Sequence, residues 1–115
     1  MILRTHRFHG HNSLNFVYAK GSSFRASNMS LRVVLNQRRQ AYRCAVVVSK
    51  KTSKSAVVRN RIRRRIFEQI RLNGEKIQKP WDIVVTVHSD QVAQVTSDEL
   101  NTTLKKLLLQ AGVLE

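Results

Sequence analysis

The sequence is poor in several residue types, and each shortage excludes a class of protein. Its 115 residues include one cysteine, one proline and four glycines. A lone cysteine, Cys44, can form neither an intramolecular disulfide nor a cysteine-based zinc site. No apolar run approaches the ~18 residues of a membrane-spanning helix, and the segment MILRTHRFHGHN lacks the hydrophobic stretch of a secretory signal. We therefore expect a reducing, cytoplasmic setting and no membrane partner.

Acidic residues are also scarce. Seven Asp and Glu stand against 21 Lys and Arg, which gives a formal net charge of +14. The excess is concentrated, because residues 1–71 contain 17 basic residues and one acidic residue, whereas residues 72–115 contain four basic and six acidic residues. This polarisation favours a docking face for a polyanion over the alternative of a generally solvated basic surface. Thirteen of the cations are arginine, whose planar fork suits phosphate.

The hydrophobic pattern predicts the order helix, two or three strands, helix, strand, helix. A stripe at a spacing of four residues marks the long central helix, and it consists of Val58, Ile62, Ile66 and Ile70. The predicted elements are a helix at 13–20, a short edge strand at 24–26, strands at 29–35 and 42–49, a helix at 55–71, a strand at 81–88 and a helix that opens at Thr96 or Ser97. Asn73 and Gly74 are expected to end the central helix, with the glycine as its cap.

These elements predict an α+β fold, a two-layer α/β sandwich with helices on one face of a mixed four-stranded sheet. We expect the strands at 29–35 and 42–49 to pair as an antiparallel hairpin. The strands at 42–49 and 81–88, joined by the long helix, form a βαβ unit if they are parallel, and such crossovers are ordinarily right-handed. Residues 1–11 are expected to be a flexible basic arm, and residues 12–115 a single RNA-binding domain.

Residues 49–65 carry the strongest functional signal. Eight of these seventeen residues are basic and none is acidic. The segment begins at the end of an apolar strand and continues into a helix, whose N-terminus adds free N–H groups that favour anions. Arginines surround more than half of this helix, whereas a DNA-reading helix needs a narrower face aimed at base edges. The broad charge favours the folded backbone of a structured RNA.

No set of residues is typical of a hydrolytic centre. The serines of the basic segment have no nearby histidine, and the acidic residues of the second half are too scattered for a two-metal nuclease site. These acidic residues include Asp82, Asp90, Asp98 and Glu99. We therefore predict no catalytic residue and no metal ligand in this chain. Trp81, beside Pro80 at a strand start, is interpreted as a packing residue.

The basic segment resembles the protein subunit of bacterial ribonuclease P. The resemblance is carried by residues 48–51 (VSKK) and by residues 56–64 (AVVRNRIRR), in which an Arg-Asn-Arg triplet lies in a basic helix after a strand that ends in Lys-Lys. It extends over residues 12–111. It implies an α/β sandwich whose βαβ crossover is left-handed, and it implies that the chain binds one large catalytic RNA.

The resemblance also implies an activity. Together with its RNA, the chain would form an endoribonuclease that removes the 5′ leader from precursor tRNA. The RNA, with Mg²⁺ that it mainly binds itself, would perform the chemistry, so the isolated chain is predicted to be inactive. No further protein partner is required. The alternatives are a structural ribosomal protein that binds ribosomal RNA, and a free-standing nuclease or DNA-binding protein.

Two groups of site residues follow from the resemblance by position. The residues implied to contact the catalytic RNA are Lys54, Arg59, Asn60, Arg61, Arg63 and Arg64. The residues implied to contact the single-stranded leader, in a cleft between the first helix and the sheet, are Leu14, Tyr18, Arg32, Lys50 and Lys51. Arg43 is a further basic strand residue that is available to the backbone of a single strand.

Overall fold

The computed structural model describes residues 11–114, with side chains from residue 14 onward. Its elements are α1 (His11–Lys20), β1 (Ser22–Arg25), β2 (Met29–Leu35), β3 (Arg43–Val48), α2 (Ala56–Asn73), β4 (Trp81–Val87) and α3 (Ser97–Gln110). Short 3-10 turns at Gly74–Lys76 and Asp90–Ala93 flank β4. The predicted element order is confirmed. The predicted arm lies outside the described residues, except for His11, which is the first residue of α1.

The four strands form one mixed sheet in the order β1-β2-β4-β3. β2 pairs antiparallel with β1 and β4, and β3 pairs parallel with β4, so the predicted βαβ unit is confirmed. The predicted hairpin of β2 with β3 is wrong, because β4 lies between them. The seven-residue connection 36–42 is longer than a tight hairpin turn. β4 is buried along most of its length, as a central strand is. The handedness of the crossover stays a prediction.

One face of the sheet carries the main core. There α2 and α3 pack against alternate residues of the three long strands, which include Leu31, Cys44 and Val85. The other face is covered in part by α1, whose Val17 is fully buried against Ala45 and Val84. The expectation that helices lie on one face only is therefore wrong for α1. The sheet has apolar side chains on both sides, so both sides need a cover.

The helix α2 is built as its sequence predicts. Ile62, Ile66 and Ile70 are fully buried, and each contributes roughly 1.5–3 kcal/mol of burial free energy. The N-cap is Ser55, whose Oγ accepts a hydrogen bond from the Val58 amide at 3.3 Å. None of the helices in the described part of the chain is long and apolar enough to cross a membrane.

The end of α2 depends on glycine for a reason that the sequence does not reveal. Asn73 and Gly74 end the helix as predicted, and Gly74 is its C-cap with φ −62°, a conformation that any residue adopts. A Cβ at this position would lie 2.6 Å from the hydroxyl oxygen of Tyr42, which is buried. The absence of a side chain at Gly74 therefore makes room for Tyr42.

Candidate nucleic-acid interface

The basic surface begins at the turn between β3 and α2. The Thr52 amide donates to the Ser49 carbonyl at 3.1 Å, and the Thr52 hydroxyl donates to the Val87 carbonyl at the end of β4 at 3.1 Å. Both bonds fix the turn to the ends of the two parallel strands. Lys50, Lys51 and Lys54 are exposed on it. Their cations stand beside the N-terminus of α2, which also favours an anion.

Two of the α2 arginines bind backbone groups that precede the helix, one in the turn and one at the end of β3. Arg59 donates to the Ser53 carbonyl at 2.8 Å. Arg63 donates to the Val48 carbonyl at 3.4 Å and to the Asn60 side-chain oxygen at 2.8 Å. Both side chains remain partly exposed. Arg59 thus holds the turn against the helix, and Arg63 holds the end of β3 against it.

Two other arginines face solvent on the outer side of α2. Arg61 and Arg64 are exposed and have no hydrogen bond or ion pair within the described residues. Asn60 lies on the same side, and Val57, 75% exposed, lies one turn before Arg61. This side of the helix therefore presents two unpaired cations, an amide and an apolar side chain to a partner.

Arg65 has a different role, although it is next to Arg64 in sequence. Its guanidinium donates to the Val92 carbonyl at 2.6 Å and to the Val95 carbonyl. It thereby satisfies backbone oxygens in the segment that connects β4 to α3. Sequence reasoning did not find this role, because both partners are about thirty residues away and nothing in the local pattern marks them.

The second turn from the C-terminus of α2 carries the only acidic residue of the first 71 residues. Glu68 accepts two hydrogen bonds from Arg71, and these bonds lower the pKa of its carboxyl to about 2. The pair leaves this part of the helix nearly neutral. The unpaired positive charge of α2 therefore lies toward its N-terminal half.

Three of the predicted leader residues meet on the face of the sheet that α1 covers. The Tyr18 ring is 40% exposed, and the Arg32 guanidinium carbon lies 5.9 Å from its centroid, within cation–π range. The Nε atom of Arg32 is buried without a hydrogen-bond partner. Leu14, one turn before Tyr18, packs on the apolar cluster beneath α1. Lys50 and Lys51 lie outside this group, in the turn after β3.

Arg43 is not a free cation of this cleft. It donates two hydrogen bonds to Asp82, from Nε to Oδ1 at 3.1 Å and from its terminal nitrogen to Oδ2 at 3.0 Å. Asp82 is fully buried and also accepts a bond from Asn36 at 2.9 Å. Because this pairing joins β3 to β4, the expectation that Arg43 serves a nucleic-acid backbone is wrong.

Metal-ligating side chains are dispersed in residues 11–114. No group of three or more His, Cys, Asp or Glu in that range lies close enough together to hold a metal ion. His88, at the end of β4, makes a 2.9 Å hydrogen bond with the Ser30 hydroxyl, and the direction of this bond depends on the histidine tautomer. The arrangement of the described residues favours binding of phosphate and bases by cations and one aromatic ring.

Comparisons with known proteins give the family. The sequence profile of the Ribonuclease P family matches residues 2–112. The ribonuclease P protein component of Roseiflexus castenholzii is 34% identical over 112 residues, covering 97% of this chain and 90% of the relative. That of Clostridium kluyveri is 38% identical over 99 residues, covering 84% and 86%. The solved RNase P protein of Staphylococcus aureus is 25% identical, with a TM-score of 0.84 and coverage of 96% and 98%. The chain therefore belongs to the ribonuclease P protein family, whose role is in tRNA processing with an RNA partner.

Proposed function

We propose that this chain is the protein subunit of a ribonucleoprotein endoribonuclease that removes the 5′ leader from precursor tRNA. It binds the catalytic RNA through Lys54 and the N-terminal half of α2. It binds the leader beside α1 and through Lys50 and Lys51 of the turn 49–54. The RNA and the Mg²⁺ that it holds perform the hydrolysis. Family membership supports this function over a structural ribosomal protein or a free-standing nuclease.

The observation that carries the proposal is that some arginines of α2 are paired with protein groups and others are not. Arg61 and Arg64 are exposed and unpaired within the described residues, whereas Arg65 and Arg71 are engaged by protein groups. Unpaired guanidinium groups on a rigid helix are suited to phosphate, because their fork matches two oxygens at once. The turn that Arg59 holds adds Lys50, Lys51 and Lys54 to the same surface.

The catalytic-RNA interface is tested by alanine substitution on α2. Arg61→Ala and Arg64→Ala should each weaken binding of the cognate catalytic RNA by about 1–3 kcal/mol, since each removes a charge-assisted contact. The slope of log K against log salt should fall by roughly 0.7–0.9 for each. Filter binding across a salt series measures both quantities. Arg71→Ala is the matched control, because it removes the same charge from an exposed position on the same helix.

The result that would overturn this interface is a loss of affinity in Arg71→Ala equal to that in Arg61→Ala. Equal losses would mean that the RNA responds to net charge rather than to one face of α2. Thermal unfolding should be unchanged in Arg61→Ala and Arg64→Ala, and Arg71→Ala should lose no more than the ~0.2–0.5 kcal/mol of an exposed ion pair within a helix.

The leader site is tested by the ratio of affinities for precursor tRNA and mature tRNA. Tyr18→Ala should lower this ratio, because stacking of a base on an aromatic ring contributes about 1–3 kcal/mol to single-strand binding. Tyr18→Phe keeps the ring and should keep the ratio. An unchanged ratio together with a lower melting temperature in Tyr18→Ala would assign Tyr18 to packing alone.

A separate experiment tests the proposal that the RNA, and not the protein, performs the cleavage. The protein freed of RNA should cleave no precursor tRNA, and addition of the catalytic RNA with Mg²⁺ should restore leader removal. The protein should also lower the Mg²⁺ and salt that the RNA needs. Cleavage by protein that has been treated with micrococcal nuclease would contradict the assignment of the chemistry to the RNA.

A further inference from the structure

A second concave surface lies at the end of the sheet where β4 begins. It is a cavity of about 280 Å³, and its lining includes Glu75, Lys76, Gln78, Lys79, Trp81 and Gly112. The volume is near the lower limit of small-molecule sites in proteins. The lining combines one large aromatic ring with two cations, a side-chain amide and a single carboxylate.

This cavity is remote from the proposed catalytic-RNA surface. β4 begins at Trp81 and ends at Val87, which pairs with Val48 at the end of β3. The basic turn 49–54 follows Val48, so the turn and the cavity lie at opposite ends of the sheet. Seven strand residues at ~3.3 Å each place these ends about 20 Å apart. No residue of the proposed catalytic-RNA or leader sites lines the cavity.

The sequence predicts that Trp81 is a packing residue, and the structure shows that Trp81 also lines the cavity. The ring packs against the main core, yet it is only partly buried and forms part of the cavity lining. Tryptophan offers the largest stacking surface of any side chain. Lys76 and Lys79 are exposed at the same cavity. An aromatic platform with cations beside it is the usual arrangement for binding single-stranded nucleic acid.

The surroundings of the cavity are also positive. The Asn36 amide donates to the Pro80 carbonyl at 3.0 Å, which fixes the loop after β2 at this end of the sheet. That loop carries Arg38 and Arg39, both exposed. Asp82, the nearest buried carboxylate in sequence, is neutralised by Arg43. Among the described residues, Glu75 is the one acidic residue that lines the cavity.

We propose that this cavity binds one nucleotide of a single-stranded RNA segment. The base stacks on the Trp81 indole, and Lys76 and Lys79 bind the phosphates on either side. Glu75 opposes the phosphates and keeps the affinity moderate. This site would give the protein a second contact with RNA, at the end of the molecule opposite the basic turn, and it is independent of the function proposed above.

Trp81 fluorescence tests the proposal directly, because Trp81 is the only tryptophan in the chain. A six-nucleotide oligoadenylate, added to the full-length protein with excitation at 295 nm, should quench the emission to saturation. Lys76→Ala/Lys79→Ala should raise the quenching midpoint at least about five-fold, and it should reduce the salt slope by about 1.4, since each single-strand phosphate contact contributes roughly 0.7. Glu75→Gln should lower the midpoint.

Two further variants separate this site from general electrostatics and from the main RNA surface. Lys105→Ala/Lys106→Ala removes the same charge from α3 and should shift the midpoint by less than about two-fold. Arg61→Ala/Arg64→Ala, which should lose catalytic-RNA binding, should still show Trp81 quenching by the oligonucleotide. Retention of quenching there supports a separate site.

Three results would overturn the proposal. The first is unchanged Trp81 emission at oligonucleotide concentrations that saturate binding measured by anisotropy. The second is an equal shift of the midpoint in the Lys76/Lys79 and Lys105/Lys106 variants. The third is quenching by adenosine monophosphate at the same concentrations as by the hexamer, which would assign the cavity to free nucleotides rather than to an RNA strand.

Discussion

Replacement of Arg43 with methionine should destabilise the fold far more than it weakens RNA binding. The Asp82 carboxylate is fully buried, and two of its three hydrogen bonds come from Arg43, whose side chain is 12% exposed. Without Arg43, the buried carboxylate keeps only the Asn36 side-chain amide as a hydrogen-bond donor among the described residues. Breaking a buried ion pair by removing one partner costs about 3–5 kcal/mol. Total stabilities of domains are roughly 5–15 kcal/mol, so the variant should lose a large share of its stability.

Urea unfolding followed by circular dichroism measures this loss. Asp82→Asn supplies the second arm of a double-mutant cycle, because it removes the charge and keeps the shape. Arg43→Met/Asp82→Asn should lose clearly less stability than the two single variants added together, with a coupling of about 0.5–3 kcal/mol. Additive losses, or a loss below about 1 kcal/mol in Arg43→Met, would refute the view that this pair joins β3 to β4.

A comparison with Arg32 completes the experiment. Arg32 lies on β2, on the other side of β4 from Arg43, and its guanidinium carbon lies beside the exposed Tyr18 ring rather than beside a carboxylate. Arg32→Met should therefore keep most of the stability and lose affinity for precursor tRNA. If Arg43→Met instead lost leader affinity at full stability, the assignment of the two strand arginines would be reversed.

Three further predictions concern Arg65, Gly74 and Tyr42. Arg65→Ala should lower the free energy of unfolding by about 1–3 kcal/mol, because two carbonyl oxygens lose their donor, and it should leave catalytic-RNA affinity nearly unchanged in filter binding; loss of affinity without loss of stability would contradict this. Gly74→Ala should cost about 1–3 kcal/mol in chemical denaturation through its clash with the Tyr42 hydroxyl, and Tyr42→Phe should relieve most of that cost. Burial raises the pKa of Tyr42 to about 12, so the folded state holds this proton more tightly than the unfolded chain does, and stability should fall as pH rises from about 10 to about 12. Tyr42→Phe should lack that component when stability is measured against pH, and an identical alkaline loss in both proteins would exclude Tyr42 as its source.

Local signals predict most of the elements but not how the strands are arranged. The stripe of isoleucines marks α2, and Thr96 marks the start of α3, where its hydroxyl accepts from the Glu99 amide at 3.1 Å. The strand order depends on which apolar strand becomes central, and β3 and β4 are both rich in valine. Alternation of apolar and polar residues indicates that a segment is a strand, but it does not identify which strand pairs with it. Chain adjacency therefore predicts a hairpin of β2 with β3 that does not form.

The candidate site shows the same limit at the level of single residues. The sequence places Arg64 and Arg65 in one basic run, and a helical wheel separates them by only 100°. The structure gives Arg65 two backbone acceptors that come from beyond β4, and leaves Arg64 exposed. Which cation is available to RNA is thus decided by tertiary contacts. The sequence motif indicates where the basic surface lies, whereas tertiary contacts determine which of its arginines stay exposed.

Several arginines of α2 lie close enough along the helix to repel one another. Arg59 with Arg63 and Arg61 with Arg65 are pairs at a spacing of four, which destabilise an isolated helix. From the sequence, a bound polyanion is the expected compensation. In the fold, three of these four arginines already donate to backbone carbonyls, those of Ser53, Val48, Val92 and Val95. The helix is therefore formed and its outer face is preorganised before RNA arrives, so binding bears little cost for ordering this segment.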